Sequence, residues 1–163
     1  MISKKIAMLG MYAVGKTSLV KRFVDSIFDE KYHTTIGVKI DRKIVKINDQ
    51  ELTLMLWDVA GAEDHFTVPS SFIRGSAGYL LVIDGTRKVT LDRGLELVAQ
   101  VESELGKIPF VAIVNKSDLV DKWQLRDEHL QHLGQLGCPV ITSSALTGEG
   151  VEEAFHTLAA RLV

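Results

Sequence analysis

Short apolar runs alternate with amphipathic stretches along the whole chain, the pattern of a mostly parallel sheet covered by helices. Ile6–Leu9 predicts a short buried strand, and Lys16–Phe28 a helix whose Leu19, Val20, Phe23 and Val24 share one face. Val38–Ile47 alternates polar and apolar positions, turns at Asn48-Asp49 and returns as Leu52–Trp57, which reads as a β-hairpin. Tyr79–Ile83, Phe110–Val114 and Val140–Thr142 are almost continuously apolar, as central parallel strands are. Helical spacing fills the gaps: Leu91 to Leu105, Leu125 to Leu136, and Val151 to Leu162. Pro69, Pro109 and Pro139 fall at element boundaries. The expectation is one α/β domain over residues 1–163. It has a mostly parallel six-stranded sheet with one antiparallel hairpin strand, about five helices on both faces, and a ligand at the C-terminal strand edge.

Composition narrows the classes. The 163 residues suffice for one buried core. A formal charge of −2 without a dense Lys/Arg block gives no footprint for nucleic acid. One cysteine, Cys138, excludes an internal disulfide and suits a reducing compartment; set before Pro139 and an apolar run, it reads as a buried, inert thiol. No apolar run approaches the roughly 18 residues of a membrane span. MISKK lacks a signal peptide's apolar core and the myristoylation glycine, and AARLV carries no prenylatable cysteine. A cytoplasmic protein with no direct membrane anchor is expected.

Three motifs carry chemistry. Gly10-Met11-Tyr12-Ala13-Val14-Gly15-Lys16-Thr17 matches G-x-x-x-x-G-K-[ST] in full, between a predicted strand and helix. Small residues there let successive N–H groups, from Ala13 through Ser18, face phosphate oxygens at a positive helix end. Lys16 is placed to reach the β- and γ-phosphates, and the Thr17 hydroxyl to ligate Mg²⁺. Asp58 closes a strand, where a carboxylate can hold that metal through a water; taken alone it would more often cap a helix. Gly61 can bring its N–H to a γ-phosphate without a Cβ clash. Asn115-Lys116-Ser117-Asp118 follows another central strand about 100 residues after the phosphate loop. An acidic side chain accepts from guanine's N1–H and amino group, a donor pair that adenine lacks. Asn115 can tie this loop to the phosphate loop, and the Lys116 stem can pack on the purine. That combination opposes a P-loop ATPase or kinase. The histidines His33, His65, His129, His132 and His156 show no metal-ligand spacing and read as solvated or locally hydrogen-bonded.

Five motifs in order, GMYAVGKT, Thr35 within HTTIGVKI, WDVAG, NKSD and SSAL at 143–146, make essentially the whole chain resemble a Ras-superfamily small GTPase, Rab-like in texture. The resemblance implies a P-loop NTPase G domain that switches between GTP and GDP with Mg²⁺. It implies that Thr35 closes on Mg²⁺ and γ-phosphate, that Phe28 packs edge-on against the base, and that the Ala145 N–H meets guanine O6 between Ser144 and Leu146. Phe28 also reads as an ordinary core aromatic, and Thr34-Thr35 as plain strand entry. Effectors would bind through switch I (29–38) and switch II (59–74), and GTPase-activating and exchange proteins are implied.

Departures from the family concentrate on hydrolysis. Most members carry Gln where this chain has Ala62, and that side chain orients the attacking water. Alanine has no side-chain donor or acceptor. Removing one preorganised polar group costs on the order of 10²–10³ in rate. Tyr12 stands where the Ras pattern has glycine, Leu146 replaces a usual lysine, and no arginine lies between Phe28 and Gly37. Three accounts of Ala62 compete: a partner supplies the missing group in trans, Glu63 or His65 substitutes, or the alanine was introduced to hold the GTP state. We favour slow natural hydrolysis with a trans partner. The alternative is a GTP-binding scaffold without useful hydrolysis.

Overall fold

The computed structural model describes residues 2–25, 38–59 and 68–163. In chain order the elements are β1 (Ile2–Gly10), α1 (Lys16–Asp25), β2 (Val38–Ile47), β3 (Gln50–Val59), α2 (Ser70–Ile73), β4 (Gly78–Asp84), α3 (Val89–Leu105), β5 (Phe110–Asn115), α4 (Asp127–Gly134), β6 (Val140–Thr142) and α5 (Val151–Ala160). The strands form one six-stranded sheet in the order β2-β3-β1-β4-β5-β6. Every neighbouring pair is parallel except β2 and β3.

Period-two patterning builds two cores from one sheet. Ile6 and Met8, Leu80 and Val82, and Val111 and Ile113 face α1 and α5. Their alternates, Ala7 and Leu9, Leu81 and Ile83, and Ala112 and Val114, face α2, α3 and α4. Strands buried on both sides need apolar residues at every position, which is why the central runs looked continuous. The hairpin turns at Asn48 and Asp49, with φ of 50° and 66°. Two left-handed residues in succession are what a tight type I′ turn requires.

Element ends differ from the expected ones for identifiable reasons. Strand β1 reaches back to Ile2 because its polar N-terminal residues pair in register with Leu52–Met55, so the ladder overrides side-chain character. Helix α4 begins at Asp127 rather than at Leu125. Arg126 is extended, with φ −103° and ψ 168°, and its N–H donates to His129 Nδ1 at 2.9 Å. Leu125 is buried ahead of the helix. Helix α1 is described over Lys16–Asp25, and its predicted continuation to Phe28 lies outside the described residues.

The α1–α5 contact stacks two aromatic rings in the core. The Phe23 and Phe155 rings stack with centroids 4.0 Å apart, and both residues are fully buried. Phe23→Ala is expected to cost about 3–5 kcal/mol, the usual range for an aromatic cavity. Urea denaturation checks it, and a loss below about 1.5 kcal/mol would mean that α5 collapses into the space.

Candidate functional site

The C-terminal ends of four strands meet at one edge. Gly10 ends β1, Asp58 lies one residue before the end of β3, Asp84 ends β4 and Asn115 ends β5. Asp84 and Asn115 are register partners, and Asp58 pairs with Met8. Chain direction alone therefore gathers three polar side chains, each 2% exposed or less, beside the loop from Gly10 to Lys16.

That loop is held by its carbonyls. Lys16 Nζ donates to the Gly10 carbonyl at 2.6 Å and to that of Met11 at 3.4 Å. Arg87 Nη2 donates to the Tyr12 carbonyl at 2.7 Å, Lys116 Nζ to that of Ala13 at 2.9 Å, and Asn115 Nδ2 to that of Val14 at 3.0 Å. The Gly15 carbonyl accepts from Leu19 N–H at 2.9 Å, opening α1. In a trans peptide the C=O and the following N–H point opposite ways. With the carbonyls held on the protein side, the N–H groups of the following residues turn the other way. That is the geometry of an anion-binding nest at a helix N-terminus. Ala13 adopts φ 63°, a left-handed conformation uncommon outside glycine. Gly15, with φ 105°, leaves no room for a side chain: a Cβ there would lie 2.3 Å from Asn115 Nδ2.

Beside the nest, the Thr17 hydroxyl donates to Asp58 Oδ2 at 2.5 Å. Asp58 Oδ1 is buried and has no hydrogen-bond partner among the described residues. Burial raises the Asp58 carboxyl pKa above the usual range, against the lowering effect of the Thr17 hydrogen bond and the Lys16 charge. An orphaned buried carboxylate oxygen next to a hydroxyl is an oxygen-donor set that fits a divalent cation such as Mg²⁺.

The second loop is equally well braced. Asn115 Oδ1 accepts from the Ser143 hydroxyl at 3.1 Å, so Asn115 links three loops. Lys116 sits at φ 72°. The Ser144 hydroxyl donates to Asp118 Oδ1 at 2.7 Å and accepts from Thr147 N–H at 3.1 Å. Ala145 is buried and Leu146 exposed. Ser18 is half-buried in the first turn of α1. Thus Ala13–Ser18, Asp58, Asn115, Lys116, Asp118 and Ser144–Leu146 are gathered at one sheet edge. Phe28, Thr35, Gly61, Ala62, Glu63 and His65 lie outside the described residues, as do residues 29–37 of 29–38 and residues 60–67 of 59–74.

Sequence reading missed Asp84 and Arg87. Asp84 is 1% exposed and accepts from Thr86 N–H at 2.8 Å, the Thr86 hydroxyl at 2.6 Å, Lys116 Nζ at 2.9 Å and Arg87 Nε at 3.1 Å. Burial would push its carboxyl up, but the Thr86 and Lys116 hydrogen bonds outweigh that and hold it below the usual range. The available signal was an acid ending an apolar central strand, the position that singled out Asp58.

The chain matches the Ras family model over residues 5–163. It belongs to the Ras family. It is 36% identical over 161 residues to Ras-related protein Rab-1 of Theileria annulata, covering 97% of this chain and 73% of that protein. It is 35% identical over 156 residues to Ras-related protein SEC4 of Saccharomyces cerevisiae strain S288c, covering 95% and 73%. GTP-binding protein ypt2 of Schizosaccharomyces pombe is 33% identical over 157 residues, covering 95% and 78%. The sheet of one antiparallel and four parallel pairs, with five α-helices among the described residues, is that of a Ras-like P-loop GTPase domain. The chain is thus a small GTPase of Rab-like type, a GTP-binding switch.

Proposed function

We propose that residues 1–163 act as one G domain that exchanges GDP for GTP at this edge and, unaided, hydrolyses GTP to GDP slowly. The observation that carries the site assignment is the Asn115 side chain. Its 3.0 Å bond to Val14 and 3.1 Å bond from Ser143 join the phosphate nest to the guanine-reading loops. Lys16 would leave the Gly10 carbonyl for the β- and γ-phosphates, and the N–H groups of residues 13–18 would receive phosphate oxygens. Thr17 and Asp58, with Thr35, would hold Mg²⁺, which supplies charge neutralisation along the phosphates when bound. Asp118, oriented by Ser144, accepts both guanine donors, and the Ala145 N–H meets O6 while Leu146 and Phe28 flank the base.

Gly61 and Thr35 would carry the γ-phosphate signal into switch II (59–74) and switch I (29–38), the surfaces for effectors and for activating and exchange proteins. The exposed side chains of Val38 (51%) and Ile40 (45%) at the adjoining sheet edge support a protein partner there.

Displacement of a fluorescent GDP analogue tests the site. Unlabelled GDP and GTP are expected to compete, and ATP at about 1,000-fold excess to fail, because adenine leaves the Asp118 carboxylate without its donor pair. Chelating divalent cations should speed GDP release, and Thr17→Ala should abolish that sensitivity. Competition by ATP at concentrations similar to GTP would overturn the guanine assignment.

A further inference from the structure

Arg87 lies on the loop after β4, outside the phosphate and base motifs, yet its side chain reaches the phosphate loop. The loop's backbone is fixed on every side. Gly85 N–H donates to the Asn115 carbonyl at 3.0 Å, and the Gly85 carbonyl accepts from Gln124 N–H at 2.8 Å. Gln124 Oε1 accepts Lys88 N–H at 2.9 Å. A Cβ on Gly85 would sit 2.1 Å from the Trp123 ring, so this stretch packs directly against the aromatic. The Thr90 hydroxyl accepts Asp84 N–H at 2.9 Å. The guanidinium then spans two acceptors: Nε on Asp84 Oδ2 at 3.1 Å and Nη2 on the Tyr12 carbonyl at 2.7 Å. Asp84 also holds Lys116, whose Nζ takes the next carbonyl, Ala13. One buried carboxylate therefore orders two cations onto consecutive peptides of the nest.

We propose that Arg87 is a positioning residue of the nucleotide site: by holding the Tyr12 carbonyl it aims the Ala13 N–H at the nucleotide's phosphates. This rests on the proposed function. The fork matters because the planar guanidinium holds its two acceptors with separate nitrogens at a fixed spacing, whereas a lysine at 87 would have one ammonium on a flexible stem to cover both. Since the Arg87 side chain is 37% exposed, the effect belongs at the lower end for one charge-assisted hydrogen bond, about 10-fold.

The experiment measures the release rate of a fluorescent GDP analogue, together with equilibrium affinities for GDP, GMP and IDP, in wild type, Arg87→Ala and Arg87→Lys. In Arg87→Ala release accelerates about 10-fold, and the GDP:GMP affinity ratio falls by a similar factor. The GDP:IDP ratio stays constant because the Asp118 contact to the base is untouched. Arg87→Lys falls between. General loosening of the fold would instead weaken GDP and GMP together, leaving their ratio unchanged; that result, or an unchanged release rate, overturns the role of Arg87. Should Arg87→Ala fail to fold, Arg87→Lys keeps a charge beside Asp84 and the same ratio decides. A wild-type chain that holds no guanine nucleotide overturns the underlying reading instead, which separates the two failures.

Discussion

Asp118→Asn is expected to lose about 10²–10³ in GDP affinity and to gain xanthosine diphosphate as its better ligand. A carboxylate accepts from both N1–H and the 2-amino group of guanine, two charge-assisted hydrogen bonds worth about 1.5–3 kcal/mol each. An amide keeps one acceptor and turns the other position into a donor, which then faces the guanine amino group. Xanthine carries a carbonyl at that position, so the new donor finds a partner. The Ser144 hydroxyl, 2.7 Å from Asp118 Oδ1, fixes the carboxylate before any base arrives and remains able to orient the amide. Because Asp118 is exposed, screening keeps the loss at the lower end of the two-bond range. Parallel titrations of GDP and xanthosine diphosphate measure it. An Asn variant that binds GDP as tightly as wild type would remove Asp118 from base recognition.

Why Asp118 was legible and Arg87 was not comes down to where each side chain's partner lies in the sequence. The nest from Gly10 to Thr17 and the loop from Asn115 to Asp118 are local strings whose spacing is dictated by a ligand, so their chemistry can be read without the fold. The apolar runs of β4 and β5 were equally plain, since burial on both faces leaves no polar position to confuse the period. Arg87 acts on Tyr12, and Asp84 on Lys116, through a register that exists only once β1, β4 and β5 lie side by side. The acid ending the apolar run Tyr79–Ile83 was a readable signal, but nothing in Asp84-Gly85-Thr86-Arg87 itself names Tyr12 and Lys116 as the partners. The ends of elements failed for a related reason. The polar N-terminal half of β1 is strand because β3 pairs with it, and Leu125 leaves α4 because the core takes its side chain while Arg126 remains extended.

Single-turnover GTP hydrolysis by Ala62→Gln is expected to run on the order of 10²–10³ faster than by the chain as it stands. Phosphoryl transfer needs little covalent help from a protein; it needs the phosphates held, their charge neutralised and the water aligned. The first requirement is supported by the carbonyl-tethered nest and the second by the Thr17–Asp58 pair with its orphaned Oδ1. Neither depends on residue 62. A methyl group leaves the third requirement to the water itself, and a glutamine amide would restore one donor and one acceptor beside it. The substitution should therefore change the rate of the chemical step while leaving GDP release as it was. That split is the diagnostic, because a general repair of the switch would move both. If the hydrolysis rate does not rise, water alignment is not the limiting feature. Glu63, His65 or an activating partner then becomes the group to test, and persistent GTP after purification would favour the scaffold reading. If hydrolysis rises and release holds, slow turnover in this chain traces to one missing side chain on an otherwise competent site.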